Sequence, residues 1–122
     1  MLAGVELGGT KCVCVLATPD GVIVARTIVP TTRPDVTLDM IEQTLDEWKA
    51  TSGFGALGIA SFGPVCLRES AADWGYITTT SKPGWQRTDV GARLRKRYMV
   101  PVSFDTDVNG AALAESLWGA AK

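Results

Sequence analysis

The 122-residue chain contains no histidine. Within these residues that excludes any reaction needing an imidazole base and any metal site built on imidazole nitrogen. Cysteine is scarce as well. Cys12, Cys14 and Cys66 make an odd set with one Cys-x-Cys pair, a poor disulfide framework and a metal clip that lacks its second pair of ligands. Cysteines two apart on a strand share a face, so the expectation is buried free thiols and a reducing, cytoplasmic compartment. No stretch approaches the roughly 20 apolar residues of a bilayer span. The opening Met1–Lys11 has neither the basic flank nor the apolar run of a signal peptide. Twelve Lys and Arg against thirteen Asp and Glu leave a net charge of −1. That balance gives no long-range attraction to nucleic acid or to an anionic membrane. What is present is globular: 46% hydrophobic and 20% charged residues place the chain among folded domains. The length suits one domain of the usual roughly 100–150 residues.

The apolar runs predict three opening strands, Leu2 to Leu7, Lys11 to Ala17 and Val22 to Val29. The last two join through Pro19-Asp20-Gly21, where Pro presets φ and Gly accepts a positive one. Leu38, Ile41, Leu45 and Trp48, spaced three, four and three apart, predict a helix over Asp35 to Lys49. Asp35 is its expected cap, and Gly53 lies past its end. Ala56 to Ala60 reads as a buried strand leading into a Ser61-Phe62-Gly63-Pro64 loop. Residues 67–86 read as irregular. Asp89 is expected to cap a second helix carrying Val90, Leu94 and Tyr98 on one face. Val100 to Phe104 follows as a strand, and Val108 to Trp118 as an Ala-rich helix. The order β-β-β-α-β-α-β-α points to an α/β fold with a helix-covered mixed sheet.

Four features could carry chemistry. Gly8-Gly9-Thr10-Lys11 sits at a tight turn between strands. It is either a plain hairpin turn or an anion cradle of backbone N–H groups, with the Thr10 hydroxyl and the Lys11 charge beside it. It fits neither the P-loop nor the G-x-G-x-x-G pattern. Asp105-Thr106-Asp107 ends a strand just before a helix. A carboxylate there could cap the helix, accept a proton from a substrate hydroxyl, or do both. Glu6 lies two residues before the glycines. It is either a solvent-facing strand residue or a partner for a hydrated Mg²⁺ beside a phosphate. Gly63-Pro64 with the Thr79–Trp85 stretch either forms an ordinary surface loop over a core Trp or lines a polyol site. The cluster of Arg87, Arg93, Arg95, Lys96 and Arg97 is read as a solvated helix face.

In series these segments resemble the ROK family of sugar kinases and regulators. The resemblance runs through Gly4-Val5-Glu6-Leu7-Gly8-Gly9-Thr10-Lys11, then Gly58-Ile59-Ala60-Ser61-Phe62-Gly63-Pro64-Val65, then Asp105-Thr106-Asp107-Val108-Asn109-Gly110-Ala111-Ala112-Leu113-Ala114-Glu115. Glu6, the Ser61–Pro64 loop, Thr106 and Lys82-Pro83-Gly84-Trp85 are most similar to the fructokinase branch. The resemblance implies an actin-like (RNase H-like) lobe, residues 1–122 being the N-terminal lobe of a two-lobe enzyme and inactive alone. It implies ATP and Mg²⁺ as cofactors and a hexose, fructose foremost, as substrate. Glucose, mannose or N-acetylglucosamine kinases, or a non-catalytic sugar-binding regulator, are its alternatives. A regulator of the family carries a helix-turn-helix segment ahead of the glycine motif, for which seven preceding residues leave no room. Asp107 is implied as general base. Glu6, Gly8, Gly9, Thr10 and Lys11 are implied at the phosphate and Mg²⁺ region. Gly63, Ser81, Trp85, Thr106 and Asp107 are implied near the sugar. Many sugar kinases of the family carry Asn where this chain has Thr106 and Ser81, which argues against carrying over glucose specificity. The family's zinc site belongs to the second lobe, and the intact protein is implied to be a homodimer without nucleic-acid or membrane partners.

Overall fold

The computed structural model describes residues 1–106. Asp107 and the Ala-rich stretch Val108 to Trp118 lie outside the described residues. The chain enters through β1 (Leu2–Leu7), β2 (Lys11–Ala17) and β3 (Ile23–Pro30). Between the last two, the Gly21 and Val22 amides donate to the Thr18 carbonyl and hydroxyl oxygens at 2.9 and 3.1 Å.

Helix α1 spans Pro34–Thr51. Its start differs from the sequence expectation. Asp35 lies inside the first turn, where its charge favours the helix dipole, and Arg33 holds the cap position without a side-chain bond. Pro34, with its preset φ, begins the helix instead. Thr37 closes the entry: its hydroxyl oxygen accepts the Thr32 N–H at 2.8 Å, and its hydroxyl donates to the Pro30 carbonyl at 3.1 Å. Leu38, Ile41, Leu45 and Trp48 are all buried, as their spacing requires.

After α1 come β4 (Ala56–Ser61), a hairpin of β5 (Tyr76–Ile77) and β6 (Thr88–Asp89), α2 (Gly91–Tyr98) and β7 (Val102–Thr106). The hairpin is an addition to the sequence reading. Strands of two residues carry no periodicity to read. The Asp89 carboxylate accepts the Arg93 N–H at 3.2 Å, so it does serve the start of α2.

The main sheet has the order β3-β2-β1-β4-β7. β1, β2 and β3 pair antiparallel, whereas β1 with β4 and β4 with β7 pair parallel. Alternation divides it into two faces. Ala3, Val5, Leu7, Cys12, Cys14, Leu16, Leu57, Ile59, Val102 and Phe104 join α1 and α2 in one buried core. The opposite face carries Gly4, Glu6, Val13, Gly58, Ser103 and Asp105. Cys12, Cys14 and Cys66 are free, the first two fully buried.

The basic run is solvated in part, with Arg87, Lys96 and Arg97 exposed, but its arginines also make specific contacts. Arg93 Nη2 and Nε reach the two Glu42 oxygens at 2.7 and 2.9 Å, and Nη2 also reaches Asp39 at 3.1 Å. Arg97 grips Asp46 through two bonds, and the Tyr98 hydroxyl donates to Asp46 at 2.8 Å. Arg95 lies 3.7 Å above the Trp74 ring. These contacts clamp α2 to α1 and to the core, which keeps both helices on one face of the sheet. Among the described residues no helix is long and apolar enough to cross a membrane.

Candidate functional site

Three parallel strands end in one row, in which Leu7 pairs with Ser61 and Ser61 with Thr106. Their carboxyl ends form the edge where an open α/β sheet receives a ligand. The row before it holds Glu6, Ala60 and Asp105. Adjacent strands lie about 4.8 Å apart, so the Glu6 and Asp105 backbones are about 10 Å apart with Ala60 between them. Alternation sends both carboxylates to the face away from the helices, where they line a trough of about 740 Å³. Ser61 is buried on the helix side, and Thr106 shares that side. Glu6 is exposed.

The turn after β1 is held at every carbonyl. The Gly8 N–H donates to the Lys11 carbonyl at 3.0 Å. The Thr31 hydroxyl donates to the Gly8 carbonyl at 2.8 Å, and the Thr31 N–H to the Thr10 carbonyl at 3.0 Å. The Lys82 ammonium donates to the Gly9 carbonyl at 2.6 Å. Among the described residues the Gly9 and Thr10 amides donate to no backbone carbonyl. Beneath it, Cys12 Sγ lies 3.2 Å from Thr31 Oγ1. Burial pushes the Cys12 thiol up from its ordinary range, against the opposing pull of that hydrogen bond, so it sits there as a neutral group.

The two glycines have different reasons to be glycine. A Cβ on Gly8 would stand 2.6 Å from the Lys11 carbonyl oxygen, so the hairpin itself forbids a side chain. A Cβ on Gly9 would meet nothing within 4 Å. The fold leaves that space to whatever approaches from outside.

The Ser61-Phe62-Gly63-Pro64 loop begins directly beside this turn, with the Phe62 N–H donating to the Leu7 carbonyl at 3.0 Å. Gly63 is tight against its own loop, since a Cβ there would lie 3.1 Å from the Val65 nitrogen. The stretch before α2 is pinned by Trp85. That side chain is completely buried, its N–H donates to the Thr32 carbonyl at 2.8 Å, and its ring packs edge-on against Phe62 at 5.4 Å. Trp85 therefore anchors the loop from beneath; to cover a polyol its ring would have to leave the core. Ser81, next to Lys82, is exposed.

Glu6, Gly8, Gly9, Thr10, Lys11, Gly63 and Thr106 thus gather at one end of the sheet, and the Lys82 contact brings the Ser81 loop to them. The braces Thr31 and Lys82 are absent from the sequence-based set of site residues. Thr31 carries no motif, but Lys82 stands in a Lys-Pro-Gly-Trp string whose rigid turn was the available signal.

A family model described as the ROK family matches residues 2–122. A fructokinase of Zymomonas mobilis is 45% identical over 97% of this chain, and a fructokinase of Pediococcus pentosaceus is 39% identical over all of it. The chain spans about 40% of the length of these curated relatives. Among solved structures, a ROK family glucokinase from Streptomyces griseus in complex with glucose and AMPPNP superposes with a TM-score of 0.81. That likeness covers 99% of this chain and 38% of the other at 23% identity, and it concerns the fold.

Proposed function

The chain belongs to the ROK family, and on that footing we propose that it forms the N-terminal lobe of a two-lobe, ATP-dependent kinase that phosphorylates a hexose, fructose foremost. The observation that carries this reading is the glycine turn: its carbonyls are tied back, its Gly9 and Thr10 amides donate to no backbone carbonyl among the described residues, and the space beside Gly9 is open. Such a turn suits an anion, because aligned N–H dipoles bind phosphate oxygens without a side chain in the way. The two fructokinases named above favour fructose as the sugar.

ATP supplies the transferable phosphoryl group, and Mg²⁺ neutralises charge on it. The Gly9 and Thr10 amides and the Lys11 charge hold the phosphates in this reading. Glu6 fits a hydrated cation: it is exposed, and it lies two residues before the glycine turn on the face away from the helices. Asp107 would take the proton that the sugar hydroxyl gives up as its oxygen bonds to the γ-phosphorus, while the bond from that phosphorus to the bridging oxygen breaks and ADP leaves. Gly63, Ser81 and Thr106 shape the sugar side, with Trp85 fixing the loop that carries Ser81. A zinc site in the second lobe, a homodimer, the absence of nucleic-acid and membrane partners and a cytoplasmic location complete the proposal. The three free cysteines favour a reducing compartment.

The test is ADP release by the whole protein containing this chain, with ATP and a panel of fructose, glucose, mannose and N-acetylglucosamine. Turnover with fructose at the highest kcat/KM is expected, and Asp107→Asn should lower kcat by about 10²–10⁴-fold with the fold intact. No release with any hexose would sink the kinase reading. An Asp107→Asn enzyme of wild-type rate would remove Asp107 as base.

A further inference from the structure

We propose that Lys82 is a phosphate-binding residue of the glycine turn, supplying positive charge to the anion from the side opposite Lys11. The inference rests on reading the turn as a phosphate site. Lys82 lies 73 residues from Gly9 in sequence, yet its Nζ is 2.6 Å from the Gly9 carbonyl oxygen. The placement is built. The Lys82 N–H donates to Thr80 Oγ1 at 3.2 Å, and the Trp85 N–H donates to the Lys82 carbonyl at 3.3 Å. Pro83 fixes its own φ, Gly84 takes a φ of 84°, and Trp85 is locked in the core. The flexible stem of the lysine therefore starts from a rigid base.

An ammonium has three donors, and the Gly9 carbonyl takes one. The remaining two are left for an anion at the turn, whose Gly9 and Thr10 amides donate to no backbone carbonyl among the described residues. The sides follow from strand alternation. Cys12 faces the helices, so Lys11 projects to the opposite face. Lys82 comes from the helix side, where its loop packs through Trp85 on Thr32 and Phe62. An anion on the turn is thus met by cations from both faces of the sheet. The same contact draws Ser81 to the turn, so phosphate binding and the position of the sugar-side loop are coupled through one side chain.

The experiment is calorimetric titration of the whole protein with inorganic tripolyphosphate, comparing wild type with Lys82→Met, Lys82→Gln and Lys82→Arg. Gln can still donate to the Gly9 carbonyl but carries no charge, so it separates phosphate binding from simple loop strapping. Loss of one charge-assisted contact should weaken tripolyphosphate about tenfold or more in the Met and Gln variants. Lys82→Arg should stay within about threefold of wild type. Raising salt from about 0.05 to 0.5 M should weaken the wild type more than the uncharged variants, since part of the attraction being screened is already gone. Binding of tripolyphosphate by Met and Gln variants within twofold of wild type overturns the assignment, as does a wild type that binds none. Lys82-dependent binding without turnover of any hexose would sink the kinase reading and leave Lys82 standing. Hexose turnover with unchanged tripolyphosphate affinity in the variants would do the reverse.

Discussion

Gly8 and Gly9 are neighbours, and the structure predicts opposite results from the same substitution. Gly8→Ala places a Cβ 2.6 Å from the Lys11 carbonyl oxygen. That oxygen belongs to the backbone and already accepts the Gly8 N–H at 3.0 Å, so no rotamer can relieve the clash. The hairpin must shift, at a cost of about 1–3 kcal/mol, the range for an inserted methyl in a tight site. Gly9→Ala meets nothing within 4 Å, and Gly9 is not among the positive-φ glycines. Its effect on folding is therefore near zero or a gain of about 0.4–1 kcal/mol from the stiffer unfolded chain. Its effect on function is the larger one, because the methyl occupies the open space at the turn proposed for phosphate. The expected result is a rise in KM for ATP of about tenfold or more. Urea unfolding followed by tryptophan emission reads the first quantity, and steady-state kinetics on the whole protein reads the second. Gly8→Ala should lower the urea midpoint, and Gly9→Ala should not. Equal destabilisation by the two would refute the steric argument. A Gly9→Ala enzyme with unchanged KM for ATP would refute the assignment of that space to a ligand.

Two further outcomes follow from the core and the helix clamp. Arg93→Met leaves the nearly buried Glu42 without its bidentate partner and should cost about 2–3 kcal/mol, while Arg93→Met with Glu42→Met should recover most of the loss. A double-mutant cycle by chemical denaturation checks this, and additivity of the two single losses would contradict it. Burial pushes the Cys14 thiol up to about 12 from its ordinary 9.0. The folded chain therefore keeps that proton where the unfolded chain releases it. The contribution is complete below about pH 9 and is lost as pH climbs toward 12, falling by about 1 kcal/mol between pH 8 and pH 10. Denaturation curves across that range should show this slope, and Cys14→Ala should flatten it; an unchanged slope would show that Cys14 is not its source.

Much of this fold was legible because its signals are short-range. The period of Leu38, Ile41, Leu45 and Trp48 determines a buried face with no knowledge of what covers it, and α1 follows. The Cys12 and Cys14 spacing places both thiols on one side of β2, and both are buried. The glycine turn was legible for the same reason: a strand, two glycines and a second strand leave the backbone little choice. The cap of α1 was less so. Asp35 has the chemistry of a cap, but Pro34 begins the helix one residue earlier and moves Asp35 into the first turn.

What the sequence did not disclose is long-range. Arg93 and Glu42 are 51 residues apart, so neither residue alone distinguishes a solvated arginine from one that clamps two helices. Trp85 beside Ser81 and Gly84 reads equally as a ring for a polyol or as an anchor. Only the Thr32 carbonyl and the Phe62 ring, each reached across the fold, decide for the anchor. Once Trp85 is an anchor, the meaning of Lys82 changes too. A lysine on a loose loop would have no fixed base, whereas this one starts three residues from a buried indole. Its contact with Gly9 is thus a consequence of core packing, and the residues around the turn are assembled by the same hydrophobic burial that folds the domain.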